Sequence, residues 1–404
     1  MKTTSSSFAL ATLTALFFFM GFITVLNDIL IPHLKVIFEL NYFEAALIQF
    51  CFFGAYFITG GLFGKLISKI GYPLGVVCGF MLTAFGCILF YPAASTASYP
   101  IFLGALFILA SGVVLLQTAG NPFVTLLSPG KEASSLTLVQ AFNSLGTTLG
   151  PLFGAAFILS GTAEYVSKAE EAQSVQIPYL IIAGVLILLG IVIYLLKLPD
   201  VRATAEEISQ KNKDGKESVF EYAHLVLGAA GIFFYVGAEV SIGSFLILTF
   251  KDIADIDEIT GAKYIAFYWG GAMVGRFIGG AIMRKIAPNK CLAFNAIMSI
   301  LLTIIAILAG GNIAVIALVA IGLFNSIMFP TIFSLATSNL GKFTSQASGV
   351  ICMAIVGGAL IPPIQGLVAD YSSLILSYIV PMLCYFYILF FALMGYKRKN
   401  SLAS

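Results

Sequence analysis

The sequence predicts an all-α membrane protein of twelve transmembrane helices in two six-helix bundles, and three observations predict it. Of 404 residues, 59% are hydrophobic and 10% are charged, too little charge to cover a soluble domain of this length. Apolar runs of spanning length recur from one end to the other, and at about 20 residues per span the chain holds roughly twelve. These runs are continuously apolar rather than alternating, which excludes a lipid-spanning barrel.

The spans fall at 8–31, 43–64, 74–93, 100–127, 136–160, 177–197, 222–250, 262–283, 291–309, 312–337, 347–368 and 375–396. With the N-terminus in the cytoplasm, sixteen of the 21 basic residues lie on the cytoplasmic side, among them Lys65, Lys69, Lys131, Lys197, Arg284, Lys285, Lys290 and Lys397. Lys35, Lys168, Lys251 and Lys263 lie outside, and Arg276 falls within a span. This bias places both termini in the cytoplasm and requires an even span count. The first apolar run is too long for a cleaved signal peptide and carries Asn27 and Asp28 near its end. A bacterial inner membrane is the simplest location.

A mixed-charge stretch, 198–221, reads as a cytoplasmic linker between an N-terminal bundle, 1–197, and a C-terminal bundle with a short basic tail, 222–404. The halves look related. Ser68-Lys69-Ile70 resembles Arg284-Lys285-Ile286, and Phe18-Phe19-Met20-Gly21 resembles Phe234-Tyr235-Val236-Gly237, both at an offset of 216. Such parallel repeats are found in transporters whose two halves rock about a central site. Gly146, Gly150 and Gly154 give the fifth span a small-residue face suited to close helix packing. The six cysteines lie in or beside apolar runs, with no metal-like spacing and no disulfide framework.

A charge at mid-bilayer costs roughly 2.5–3.5 kcal/mol on insertion scales, so intramembrane charges are functional candidates. Asp28, Glu239 and Arg276 are the three. Asp28 lies toward the outer end of the first span, beside Asn27, and is the candidate for binding substrate and a coupling cation. Glu239 and Arg276 sit in neighbouring spans of the second half; either they neutralise each other, or Glu239 joins the coupling and Arg276 holds its charge. Gln117 and Asn121 share one face of span four, and Gln140 and Asn143 share one face of span five. Amides offer both donors and acceptors, as a polyhydroxylated ligand requires. They serve equally as interhelical hydrogen bonds. Trp269, the one tryptophan, is either a platform for a sugar ring or a lipid-facing or core side chain. Asn325, Pro330, Pro362, Pro363 and Gln365 mark interrupted helices in the second half. No nucleophile motif, phosphate-cradling loop or nucleotide domain is present in the sequence, so neither an enzyme nor an ATP-driven pump is indicated. No cofactor, nucleic acid or protein partner is expected, and the chain is expected to work as a monomer in the bilayer.

Four segments carry a family resemblance: Phe22-Ile23-Thr24-Val25-Leu26-Asn27-Asp28-Ile29-Leu30-Ile31-Pro32, Gln117-Thr118-Ala119-Gly120-Asn121-Pro122-Phe123-Val124, Gln140-Ala141-Phe142-Asn143-Ser144 and Tyr235-Val236-Gly237-Ala238-Glu239-Val240. They resemble the fucose–galactose–glucose symporter family of the major facilitator superfamily, its glucose/galactose members more than its L-fucose permeases. The resemblance implies a twelve-helix, two-bundle fold and cation-coupled import of a monosaccharide. It places Asp28 on the family's span-one carboxylate and Gln140 and Asn143 on cavity positions. Gln117 stands where the proton-coupled fucose permease has a glutamate; an amide cannot relay a proton there, so Na+, held at Asp28, is at least as good an expectation as H+. L-fucose/H+ symport and drug/H+ antiport are the alternatives, the latter suggested by the Gly-Pro pattern of span five. A sugar-sensing receptor is a more remote one, because the loops are short.

Overall fold

The computed structural model describes residues 6–37, 42–96, 98–154, 176–199, 201, 205–206 and 217–397, with side chains described for all of these except 6, 24–37, 42–47, 151–154, 258–259 and 262. The described residues are predominantly helical. The first half holds α1 (Ser6–Ile37), α2 (Tyr42–Ile70), α3 (Tyr72–Ser95), α4 (Tyr99–Leu126), α5 (Glu132–Gly154) and α6 (Gln176–Leu196). The second holds α7 (Ala223–Ala254), α8 (Glu258–Ile282), α9 (Pro288–Ala309), α10 (Gly311–Asn325), α11 (Met328–Ala336), α12 (Thr344–Ala354), α13 (Gly357–Tyr371), α14 (Leu374–Ser377) and α15 (Ile379–Phe390), closed by a π-turn at Phe391–Gly395. Among the described residues, ten stretches are long and apolar enough to cross a membrane.

Local sequence explains the helix ends. Pro73 and Pro100 occupy the first turns of α3 and α4, where a missing N–H leaves no gap in the ladder. Asp257 caps α8 by accepting from Thr260 N at 2.9 Å. In the second half three spans are broken. Gly311–Ala336 is interrupted between α10 and α11, Gly341–Tyr371 between α12 and α13, and Leu374–Gly395 at Tyr378 and again at the π-turn.

The helices group into two compact units. The first comprises Met1–Leu127, Phe142–Glu207 and Gly341–Met353; the second comprises Ser128–Ala141, Ile208–Leu340 and Ala354–Ser404. These packing units therefore depart from the sequence halves at two places. Within the first unit, α12 lies against α2 because both present glycine: a methyl on Gly60 would sit 2.8 Å from the Gly349 carbonyl, and one on Gly64 would sit 2.9 Å from that of Ser345. Within the second unit, the start of α5 is held by Ser134 Oγ, which donates to Gly280 O at 2.6 Å, and by Leu138 against Gly280. Parts of the 198–221 stretch are less solvated than its charge suggests: Leu198, Val201 and Ala205 are buried, and Ala205 N donates to Val201 O.

Helices α1 and α5 meet backbone to backbone. A methyl on Gly146 would collide with the Phe18 carbonyl, and one on Gly21 with the Asn143 carbonyl. Gly146→Ala should therefore lower the thermal midpoint of the protein in detergent, since forcing a methyl into a packed contact costs about 1–3 kcal/mol. Gly104→Ala, with nothing within 4 Å of the new methyl, should leave the midpoint unchanged or raise it. Equal behaviour of the two variants would contradict the close approach.

Candidate functional site

In the first unit the amides of α4 and α5 are tied to neighbouring helices. Gln117 Nε2 donates to the hydroxyl of Tyr56 on α2 at 3.0 Å. Asn143 Nδ2 donates to Phe17 O on α1 at 3.0 Å, beside the Gly21–Gly146 crossing. Asn121 is fully buried on the same face of α4 as Gln117. Asn27 and Asp28 lie on α1, and their side chains fall outside the described set. Tyr56 was not among the candidates read from the sequence. It is a phenol within an apolar run, and only the tertiary contact distinguishes it from core.

Near Tyr56, Cys352 on α12 lies beside the hydroxyls of Thr118 and Ser348, all of them fully buried. Gln140 is buried on α5, in the part of that helix that belongs to the second unit. Gln140 and Asn143 share a helix face, as their spacing requires, but the packing units divide between them.

The second unit holds a polar network around Glu239. Tyr235, one turn earlier on α7, donates its hydroxyl to Glu239 Oε1 at 2.7 Å. Arg276 on α8 is near enough for its charge to act on the Glu239 carboxylate. A chain of buried groups reaches the same residue from behind. Tyr385 Oη donates to Asn325 Oδ1 at 2.7 Å, Asn325 Nδ2 donates to Tyr268 Oη at 2.8 Å, and Tyr268 Oη faces the Glu239 carbonyl at 3.5 Å. Four helices, α7, α8, α10 and α15, are thus linked at one level.

Arg276 also serves the break between α10 and α11. In an unbroken helix the Ser326 carbonyl would accept the N–H of residue 330, but that residue is Pro330 and has none. Arg276 Nε takes the place of that donor, at 3.0 Å from Ser326 O. Asn295 Nδ2 donates to Phe324 O, a second carbonyl at the break, at 2.8 Å. Helix α8 approaches the break closely because Gly271, Gly275 and Gly279 face it: methyls there would meet Leu323 N, Ser326 Oγ and Ile327 Cγ2. The 271, 275, 279 spacing and the Ser326–Pro330 spacing were both visible in the sequence and would have pointed here. Tyr235, Tyr268 and Tyr385 carried no such signal. Trp269 is 43% exposed, edge-on to Tyr268, with its ring over Gly243.

Among the described residues no group of three or more His, Cys, Asp or Glu side chains could hold a metal ion. What the second unit presents is an intramembrane carboxylate set among phenols, an amide and one guanidinium, beside an interrupted span. That is the architecture of a membrane carrier that moves small polar solutes.

Comparison with known proteins bears this out. The family model of the Major Facilitator Superfamily matches residues 11–363. A Helicobacter pylori protein that carries a provisional glucose/galactose transporter name is 65% identical over 99% of this chain and 100% of its own length. The L-fucose-proton symporter of Escherichia coli is 36% identical over 95% of this chain and 92% of its own. The crystal structure of FucP, an MFS transporter in the outward conformation, superposes with a TM-score of 0.86 at 33% identity, covering 96% of this chain and 99% of that one. The chain belongs to the Major Facilitator Superfamily, and within it to the branch these relatives form, the one its motifs resemble. It is a multi-pass membrane transporter and not an enzyme.

Proposed function

We propose that this protein imports a monosaccharide, glucose or galactose foremost, together with Na+ or H+, by alternating access across a bacterial inner membrane. Two six-helix bundles, 1–197 and 222–404, would rock about a central site, with both termini in the cytoplasm. The observation that carries the coupling half of this reading is Glu239, an intramembrane carboxylate held by Tyr235 and under the charge of Arg276. The sugar half is supported by the names of the relatives and by the amides of Gln117, Asn121, Gln140 and Asn143. In this reading Asp28 and Asn27 bind sugar, Asp28 and Glu239 take the cation, and Trp269 stacks on the sugar ring. Gln117 donates to Tyr56 from an amide, which does not titrate and so cannot relay a proton, making Na+ at Asp28 at least as good a reading as H+. The energetics suffice for either ion. One positive charge entering down 100 mV provides roughly 2.3 kcal/mol, enough for around forty-fold accumulation at about 1.4 kcal/mol per tenfold.

Uptake of radiolabelled glucose and galactose into proteoliposomes, under separate Na+ and pH gradients, tests the proposal. Accumulation is expected with an inward Na+ gradient at uniform pH. Accumulation driven by a pH gradient in Na+-free buffer would assign H+ instead. Absence of uptake and of counterflow for every hexose tried would sink the sugar reading.

A further inference from the structure

Helices α7 and α13 run side by side in the second unit, and their contacts fix a register. A methyl on Gly237 would strike Ile361, and one on Gly366 would touch the Phe245 ring at 3.5 Å. Ser241 lies one turn beyond Gly237, and Gln365 one turn beyond Ile361, so the two stand opposite each other between these contacts. Both residues are 0% exposed, and Ser241 Oγ and Gln365 Oε1 are buried with no hydrogen-bond partner.

The orientation of the Gln365 amide follows from its other end. Ser377 Oγ donates to Leu374 O at 2.6 Å, so it accepts from Gln365 Nε2, 3.2 Å away. The oxygen of the amide is therefore the atom left over. Pro362 and Pro363 add to the surplus of acceptors. Neither has the N–H that would bond the carbonyls of Gly358 and Ala359 one turn earlier on α13.

We propose that Ser241 and Gln365 form the core of a Na+ site between α7 and α13, completed by carbonyl oxygens that the proline pair releases. With both side chains fully buried, the place between them is closed to a sugar. The chemistry decides between water and a cation. A water molecule supplies two donors, whereas this set is rich in acceptors, with the serine hydroxyl as its one proton source. Hard cations are bound by such all-oxygen sets, and interrupted transporter helices supply them through freed carbonyls. The site is separate from Glu239, which projects from another face of α7, about 200° around the helix from Ser241. Its role in transport rests on the cation-coupled reading above; its existence does not.

The test is direct binding of 22Na+ to the purified full-length protein at constant ionic strength, with choline as the replacement cation. Fluorescence of Trp269 gives a second readout, since its ring lies 3.2 Å from the Cβ position of Gly243, two residues from Ser241. Saturable Na+ binding is expected; in the Asp28→Asn background, where the Na+ proposed at Asp28 is removed, a saturable component remains and is weakened at least tenfold by Ser241→Ala and by Gln365→Leu. Gln365→Glu keeps the shape, adds a negative oxygen and should tighten binding, a gain that misfolding cannot produce. Absence of saturable binding in the wild type overturns the site in favour of a buried water. Loss of all saturable binding in Asp28→Asn, or binding in that background unchanged by both Ser241→Ala and Gln365→Leu, overturns it too. Intact binding without hexose counterflow would support the site while removing the sugar reading.

Discussion

Asp28→Asn should abolish concentrative sugar uptake while leaving the protein in the membrane at the wild-type level. Helix α1 is continuous over 32 residues, Ser6–Ile37, so residue 28 is carried on a regular helix about 10 Å along the axis from the Gly21–Gly146 crossing. A carboxylate on a spanning helix costs roughly 2.5–3.5 kcal/mol to insert at the centre, and the isosteric amide costs less. The substitution therefore eases insertion, and lost transport could not be attributed to failed assembly. If Asp28 binds the cation, its loss uncouples sugar from the gradient. The steady-state accumulation ratio should fall from about forty-fold at 100 mV to equilibration. Steady-state accumulation in vesicles at clamped potential measures this. A mutant that still concentrates sugar like the wild type would take Asp28 out of the mechanism.

Arg276→Gln should be the most destabilising single charge substitution in the second unit, and Glu239→Gln should relieve it. Arg276 has two duties: its Nε satisfies the Ser326 carbonyl at the α10–α11 break, and its charge offsets that of Glu239. Removing one partner of a fully buried charge pair costs about 3–5 kcal/mol, because the other is left uncompensated; Glu239 and Arg276 are part-buried, so a fraction of that is expected. The double variant Glu239→Gln/Arg276→Gln carries no net charge at this level and should recover most of that loss. Pro330→Ala separates the two duties. It returns an N–H to the turn, so Ser326 O regains a helical donor worth about 1 kcal/mol and the break no longer depends on Arg276. Thermal unfolding of the wild type, the two single charge variants and the double variant in detergent forms the cycle, with Pro330→Ala measured beside them. Strict additivity of the Glu239 and Arg276 effects would mean that the two charges do not act on each other.

The fold was legible in the sequence because the bilayer imposes it: the only way to satisfy twenty consecutive apolar residues in hydrocarbon is a helix. Each apolar run that is described is helical, with ends shifted by a few residues. For example, the run placed at 262–283 begins at Glu258, because Asp257 caps it from outside the apolar window. The interruption before Pro330 was legible from the proline; Pro362 and Pro363, read as marking another, lie inside the continuous helix α13, and the break in that span falls earlier, at Ile355–Val356. The site was less so. Charged residues announce themselves against an apolar background, and Glu239 and Arg276 did. Tyr235, Tyr268 and Tyr385 count as apolar bulk in any composition reading, and their hydroxyls gain meaning only from partners on other helices. The same holds for Asn143. Its spacing with Gln140 marks a shared face, but its hydrogen bond to Phe17 O depends on how closely Gly146 lets α1 approach.

The breaks in the spans have a mechanical consequence. Among the described residues, the interruptions at Ser326–Ile327, Ile355–Val356 and Tyr378 and the π-turn at Phe391–Gly395 all fall in the second half of the chain. Each replaces a stretch of regular ladder with a joint that bends at little energetic expense. A carrier assembled from one stiff partner and one compliant partner concentrates its deformation in the compliant one. Amides flanking these four joints should exchange with deuterium sooner than those along α3 or α4, and binding of solute or ion should slow them first.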